Sequence, residues 1–176
     1  DMNLVSLITK NDFMKSIVEG ILNTGITESD NKAIVGVFVI FYWSGAMIGR
    51  FAGAYLTKIM KPGSVLSIFA TFAITLILIS INTTGLVSMW SILAVGLFNS
   101  IMFPTIFTLS IDGLGKLKPK ASGLLCTAIV GGALIPPLYG FLTDKIGFKT
   151  SLFFIIVCYT YILYFGYLNS KKTVVS

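Results

Sequence analysis

The stretch whose reading decides the fold is ASGLLCTAIVGGALIPPLYGFLTD, residues 121–144. It carries no charge before Asp144 and is long enough to cross a hydrocarbon core, which takes about 20 apolar residues. Gly131-Gly132 and Pro136-Pro137 nevertheless fall well inside it. Proline withholds a backbone donor and its ring clashes with the preceding turn, so a helix is expected to kink or break at the proline pair. Lipid tolerates freed backbone groups only where neighbouring helices or a water-filled cavity serve them. With Thr127 and Tyr139 beside the interruption, the segment reads as the wall of a cavity. A Pro-kinked packing helix is the plainer reading of the same residues.

The rest of the chain has the same character. Of its 176 residues 55% are hydrophobic and only 11% charged, a membrane composition. Fourteen Phe and seven Tyr suit lipid-facing surfaces and interfacial belts. The net charge of +6 does not point to nucleic acid, because no basic run is interleaved with aromatics on a polar segment. There is no His, and Cys126 and Cys158 lie in apolar stretches without ligand spacing. They read as small packing residues, and neither a metal nor a cofactor is expected. No phosphate-binding loop and no mid-span carboxylate pair offers a catalytic centre, so the chain is not expected to be an enzyme.

Outward from residues 121–144, four more spans follow from hydropathy. Residues 33–56 form the first. It carries Gly45, Gly49 and Gly53, a glycine every fourth residue, which puts three glycines on one helix face for close packing. Arg50 is expected near the interface or paired. Residues 65–81, almost wholly apolar, read as a peripheral, partly lipid-facing helix on which Leu66→Phe would be mild. Residues 86–111 are the third span, with Asn99, Ser100, Pro104, Thr105 and Thr108 bringing polarity and a kink to its middle. Residues 151–168 are the fifth. Before them all, residues 1–32 form an N-terminal segment too interrupted to span. Phe13, Ile17 and Ile21 recur there at amphipathic helix spacing, and Lys15 and Glu19 lie on the other side. The expected fold is an all-α membrane protein with five transmembrane helices and a short N-terminal amphipathic segment. Its parts are residues 1–32, a membrane domain over 33–170 and a tail over 171–176.

Orientation follows from the lysines. Arg50, Lys58, Lys61, Lys116, Lys118, Lys120, Lys171 and Lys172 fall toward one side of five alternating spans, against Lys32, Lys145 and Lys149 on the other. The richer side is expected to be cytoplasmic.

Three stretches carry a resemblance to a known family: YWSGAMIGRFAGAYL (42–56), GLFNSIMFPTIFTLSIDGLGK (96–116) and SGLLCTAIVGGALIPPLYGFLTDKIG (122–147). In order and density they resemble the C-terminal half of a major facilitator superfamily transporter, of the fucose:proton symporter group and its glucose/galactose transporter branch. Members have twelve helices in two six-helix halves around a central cavity. The resemblance therefore implies that the five spans are helices eight to twelve. The seventh would fall within residues 1–23, where charged residues interrupt it. Two departures stand out: Lys118-Pro119-Lys120 replaces a more polar, glycine-containing stretch, and Pro137 makes a double proline.

The implied function is half of a secondary active hexose or 6-deoxyhexose transporter, proton-coupled, in a bacterial inner membrane. Its partners are the sugar, protons, the bilayer and an N-terminal half-transporter polypeptide, which would hold the coupling carboxylates. The alternative is a non-transporting membrane remnant or a small assembly or regulatory subunit. A sugar offers hydroxyls and one apolar ring face, so its site needs an aromatic platform with amide and hydroxyl partners. Tyr42, Trp43, Asn99, Phe103, Thr105 and Thr127 supply those groups near the two helical breaks. Gly131 lets a ligand approach the backbone.

Overall fold

The computed structural model describes residues 12–22 and 31–172, and the elements in them are helical. They are α1 (Asp12–Leu22), α2 (Asn31–Ile59), α3 (Pro62–Asn82), α4 (Leu86–Asn99), α5 (Met102–Ile111), α6 (Lys118–Ala128), α7 (Val130–Ile146) and α8 (Phe148–Lys172), with a single 3-10 turn at Gly115–Leu117 before α6. Taken with the interruptions inside the third and fourth, five stretches are long and apolar enough to cross a membrane: Gly36–Ile59, Pro62–Asn82, Leu86–Ile111, Gly115–Ile146 and Phe148–Lys171. The five expected spans are therefore present. The apolar run at residues 4–9, the polar loop before Asn31 and the last four residues lie outside the described residues.

Packing is organised around α3. Val65, Leu66, Phe69, Ala70, Ala73 and Ile77 of α3 meet Ile101 and Met102 of the third span and Leu152 and Tyr159 of α8 in one apolar core. Small residues let α3 and α8 touch at their ends. A Cβ on Gly63 would stand 2.6 Å from the Ser170 backbone nitrogen, and one on Gly166 would stand 2.7 Å from Ser67 Oγ. Ser67 Oγ donates to the Gly63 carbonyl at 3.0 Å, so its polarity is satisfied inside the helix. At the opposite end Lys149 Nζ donates to the Thr83 carbonyl, 3.0 Å away. That places a cation at the C-terminus of α3, where the helix dipole favours one. Between α3 and α4, Phe98 meets the Phe69 ring edge-on at 5.4 Å and stacks on Phe72 at 5.2 Å. Ser80 and Ser88 share a 2.8 Å hydrogen bond across the hairpin.

Residues 65–81 are therefore not peripheral within this chain. Leu66 is 0% exposed, and α3 is the helix with the most neighbours in the core. A helix that is apolar all round gives no sequence signal separating a lipid contact from a protein contact. The small residues Gly63, Ser67, Ala70 and Ala73 were the available clue, since backbones approach where side chains are short.

The N-terminal amphipathic segment also turns a different face. Helix α1 buries Val18, at 0% exposure, against Val37 and Phe38 of α2, while Ile21 is exposed. The buried line runs through Val18 because the neighbouring α2 and α4 surfaces, not periodicity alone, choose the face. Lys15 and Glu19 do pair one turn apart, at 3.9 Å and well exposed, a geometry that contributes little.

Candidate functional site

The third and fourth spans are both interrupted, at similar distances along the chain from their lysine-rich ends. The third breaks between Asn99 and Met102, at Ser100-Ile101. From there α5 takes ten residues to reach the lysine-rich end, about 15 Å at 1.5 Å per residue. The fourth breaks at Ile129, after the eleven residues of α6, about 16 Å from the same end. Gly49 of α2 stands ten residues before Ile59, again about 15 Å. The glycine contact and the two helix breaks thus each lie about 15 Å along their helices from the lysine-rich end.

Gly49 is what lets α2 reach the third-span break. A Cβ there would collide with the Leu97 carbonyl oxygen and lie 2.7 Å from Ser100 Oγ. Gly53, one turn on, faces Ile101, whose Cδ1 would be 2.6 Å from an added Cβ. Gly45 differs, with nothing within 4 Å of a Cβ. The expected three-glycine face is a two-glycine contact: Gly49 and Gly53 face Leu97, Ser100 and Ile101, whereas no described atom comes close to Gly45. Higher up, Tyr42 takes over: its ring covers Gly96, with Cδ2 2.6 Å from where a Cβ would sit.

The fourth-span break lies elsewhere than expected. Helix α7 runs through Pro136 and Pro137 without ending, and the turn is at Ile129. There the bonds tighten to three-residue spacing, Ile129 N–H to the Cys126 carbonyl at 3.2 Å and Gly132 N–H to the Ile129 carbonyl at 2.8 Å. Two β-branched residues followed by Gly131-Gly132 form the weakest helical stretch in the span, since glycine loses most backbone freedom in a helix. None of residues 115–146 is buried by the described residues.

The residues singled out from sequence divide into groups. Asn99 ends α4 exposed, and Phe103 lies one turn on, 54% exposed. The Phe103 ring tilts against Phe107 at 6.2 Å, continuing one stripe along the third span. Trp43 is 63% exposed and meets the half-buried Tyr42 edge-on at 6.2 Å. Thr127 is exposed, with Oγ1 bonded to the Leu124 carbonyl at 2.7 Å, and Gly131 has nothing within 4 Å of a Cβ. Thr105 stands apart. It is 5% exposed, its Oγ1 donates to the Ile101 carbonyl at 2.8 Å, and it braces the break from inside the bundle. Cys126 is exposed beside the break and not packed, whereas Cys158 is half-buried. Phe107 was missed by sequence reading, although its place one turn after Phe103 could have been found. Among the described residues no group of His, Cys, Asp or Glu could hold a metal ion.

Comparison with known proteins gives this arrangement its class. No family model matches the chain. It is 45% identical over 148 residues to a glucose/galactose transporter of Brucella abortus, an alignment covering 84% of this chain and 35% of that protein. It is 42% identical over 140 residues to a putative glucose/galactose transporter of Helicobacter pylori, covering 77% and 34%. Against the L-fucose-proton symporter of Escherichia coli it is 32% identical over 139 residues, covering 78% and 31%. The chain thus spans about a third of the length of the curated relatives it matches. The fold matches the crystal structure of a major facilitator superfamily transporter, FucP, in the outward conformation, with a TM-score of 0.74 at 26% identity over 95% of this chain and 40% of that one.

Five apolar spans on that template define a multi-pass membrane protein of the major facilitator superfamily. Within the superfamily the chain belongs to the fucose:proton symporter group, in its glucose/galactose transporter branch, and corresponds to the C-terminal half of the fold.

Proposed function

We propose that this chain forms the C-terminal wall of the cavity of a secondary active sugar transporter, carrying a hexose or 6-deoxyhexose with protons. What supports the reading is that both spans are interrupted well inside their length, with Asn99, Phe103 and Thr127 exposed beside the breaks. Amide, hydroxyl and aromatic groups at mid-depth have little use against lipid tails and suit a hydrated sugar. The relatives are named for glucose, galactose and fucose, which fits that chemistry. The described acidic residues are Asp12 and Glu19 in α1, Asp112 between α5 and α6, and Asp144 in the last turn of α7. None of the four lies near the middle of the five candidate spans, so the proton would be carried by a group of the complementary half.

The test is uptake of labelled galactose, glucose and L-fucose by cells making the chain together with the N-terminal half of a relative. Accumulation that needs both halves and collapses with a protonophore is expected. Assembly of the two halves without uptake of any of the three would favour a non-transporting scaffold.

The same reading places residues 1–32 on the outer side without a crossing and the tail after residue 170 in the cytoplasm, in a bacterial inner membrane. Single cysteines at Ser29 and Ser176, probed with an impermeant thiol reagent, are expected to label from outside and only after permeabilisation, respectively. Labelling of both from the same side would contradict five crossings between them.

A further inference from the structure

At the lysine-rich end, the α3–α8 contact brings cations together over an aromatic rim. Gly63 touches the backbone at Ser170, so Lys61, two residues before Gly63, and Lys171, the residue after Ser170, flank one junction. Lys58 lies three residues before Lys61 in the chain, in the last turn of α2. All three are exposed. Among the described residues the only ion pair is Lys15–Glu19, in α1, so none of the three ammonium groups has a carboxylate within 4.0 Å. Asp112, between α5 and α6, is the one described carboxylate at this end. Lys171 Nζ sits 4.5 Å from the Tyr167 ring centroid, and Tyr164, Tyr167 and Leu168 continue as an exposed apolar strip down α8.

Ammonium groups at the end of a membrane-spanning helix, above a tyrosine rim, meet the headgroup layer from below, where anionic lipids concentrate positive charge. The strip beneath them offers apolar area for acyl chains. The basic turn at Lys116, Lys118 and Lys120, with exposed Leu117, shares the end of the molecule but lies on the α5–α6 connection instead.

We infer that the α3–α8 junction binds the phosphate headgroup of an anionic phospholipid through Lys58, Lys61 and Lys171, with the Tyr164–Tyr167–Leu168 strip holding its acyl chains.

The purified full chain, in mixed micelles of phosphatidylglycerol and phosphatidylcholine, provides the test by native mass spectrometry. Retained phosphatidylglycerol is expected to exceed phosphatidylcholine. Combining Lys58→Gln, Lys61→Gln and Lys171→Gln should reduce that preference by about tenfold or more, while the three arginine replacements keep it. The charge-matched control, Lys116→Gln with Lys118→Gln and Lys120→Gln, should leave it unchanged. Excess glycerol phosphate should not displace the lipid, which separates a membrane lipid from a free phosphate. A second measurement needs no variant: photoactivatable phosphatidylglycerol should label peptides around residues 55–61 and 164–171 of the unmodified chain. Labelling confined to other segments, or an equal loss of preference in the control triple, would overturn the site.

Discussion

Leucine at Gly49 is expected to part the first and third spans and to strip the chain of its folded, monodisperse state in detergent. The contact is backbone to backbone: even a single Cβ would run into the Leu97 carbonyl, which belongs to a helix and cannot swing aside. Overpacking a fitted core commonly costs about 1–3 kcal/mol, and here the obstacle is main chain, so the loss should exceed that range. Gly49→Ala should already lower the melting temperature. Gly45→Leu, with nothing within 4 Å of its Cβ, should be tolerated in the same preparation. Leu66→Phe, which looks mild from sequence, should instead overpack the α3 core, where Leu66 is fully buried. Thermal melts and size-exclusion profiles of the four variants provide the measurement. Equal sensitivity at Gly45 and Gly49 would mean that the spans do not meet at the Ser100 break.

The second large effect concerns binding. In an assembled two-half transporter, Asn99→Ala should weaken sugar affinity by about 1–3 kcal/mol, the penalty for leaving a polar partner unmet once the cavity closes. Phe103→Ala should do comparable damage by removing the ring face on which a sugar can rest. Thr105→Ala separates support from contact. Its hydroxyl is bonded to the Ile101 carbonyl inside the bundle, so it should lower stability and leave the affinity of the folded fraction unchanged. Thr75→Ala is the control: the residue is exposed on α3, its hydroxyl bonded to the Thr71 carbonyl at 2.9 Å, and it should change neither. Sugar titration calorimetry on purified assemblies reads all four. If Asn99 and Thr75 behaved alike, Asn99 would be a surface residue of the helix end and not part of the site.

The sequence alone determined that this chain lives in a membrane, that it holds five spans, and which polar residues lie inside them. Those facts follow from hydropathy and turn chemistry, which are local: about 20 apolar residues must cross, and Asn99, Pro104 and Gly131-Gly132 must disturb the helices that hold them. The order of the glycine-rich, asparagine-rich and proline-rich stretches added the family. Neighbours were not legible. Apolar residues look alike to lipid and to protein, so the burial of α3, the turn of α1 onto Val18 and the openness of Gly45 beside the closed Gly49 had no signal of their own. The same ambiguity placed the fourth-span break at Pro136-Pro137. Helix α7 continues through both prolines, and the interruption falls at the weaker turn at Ile129, just before Gly131-Gly132. Tertiary structure also separated Thr105 from Asn99 and Phe103. All three are polar or aromatic residues of one span, and only the position of the core against α5 decides which of them face inward.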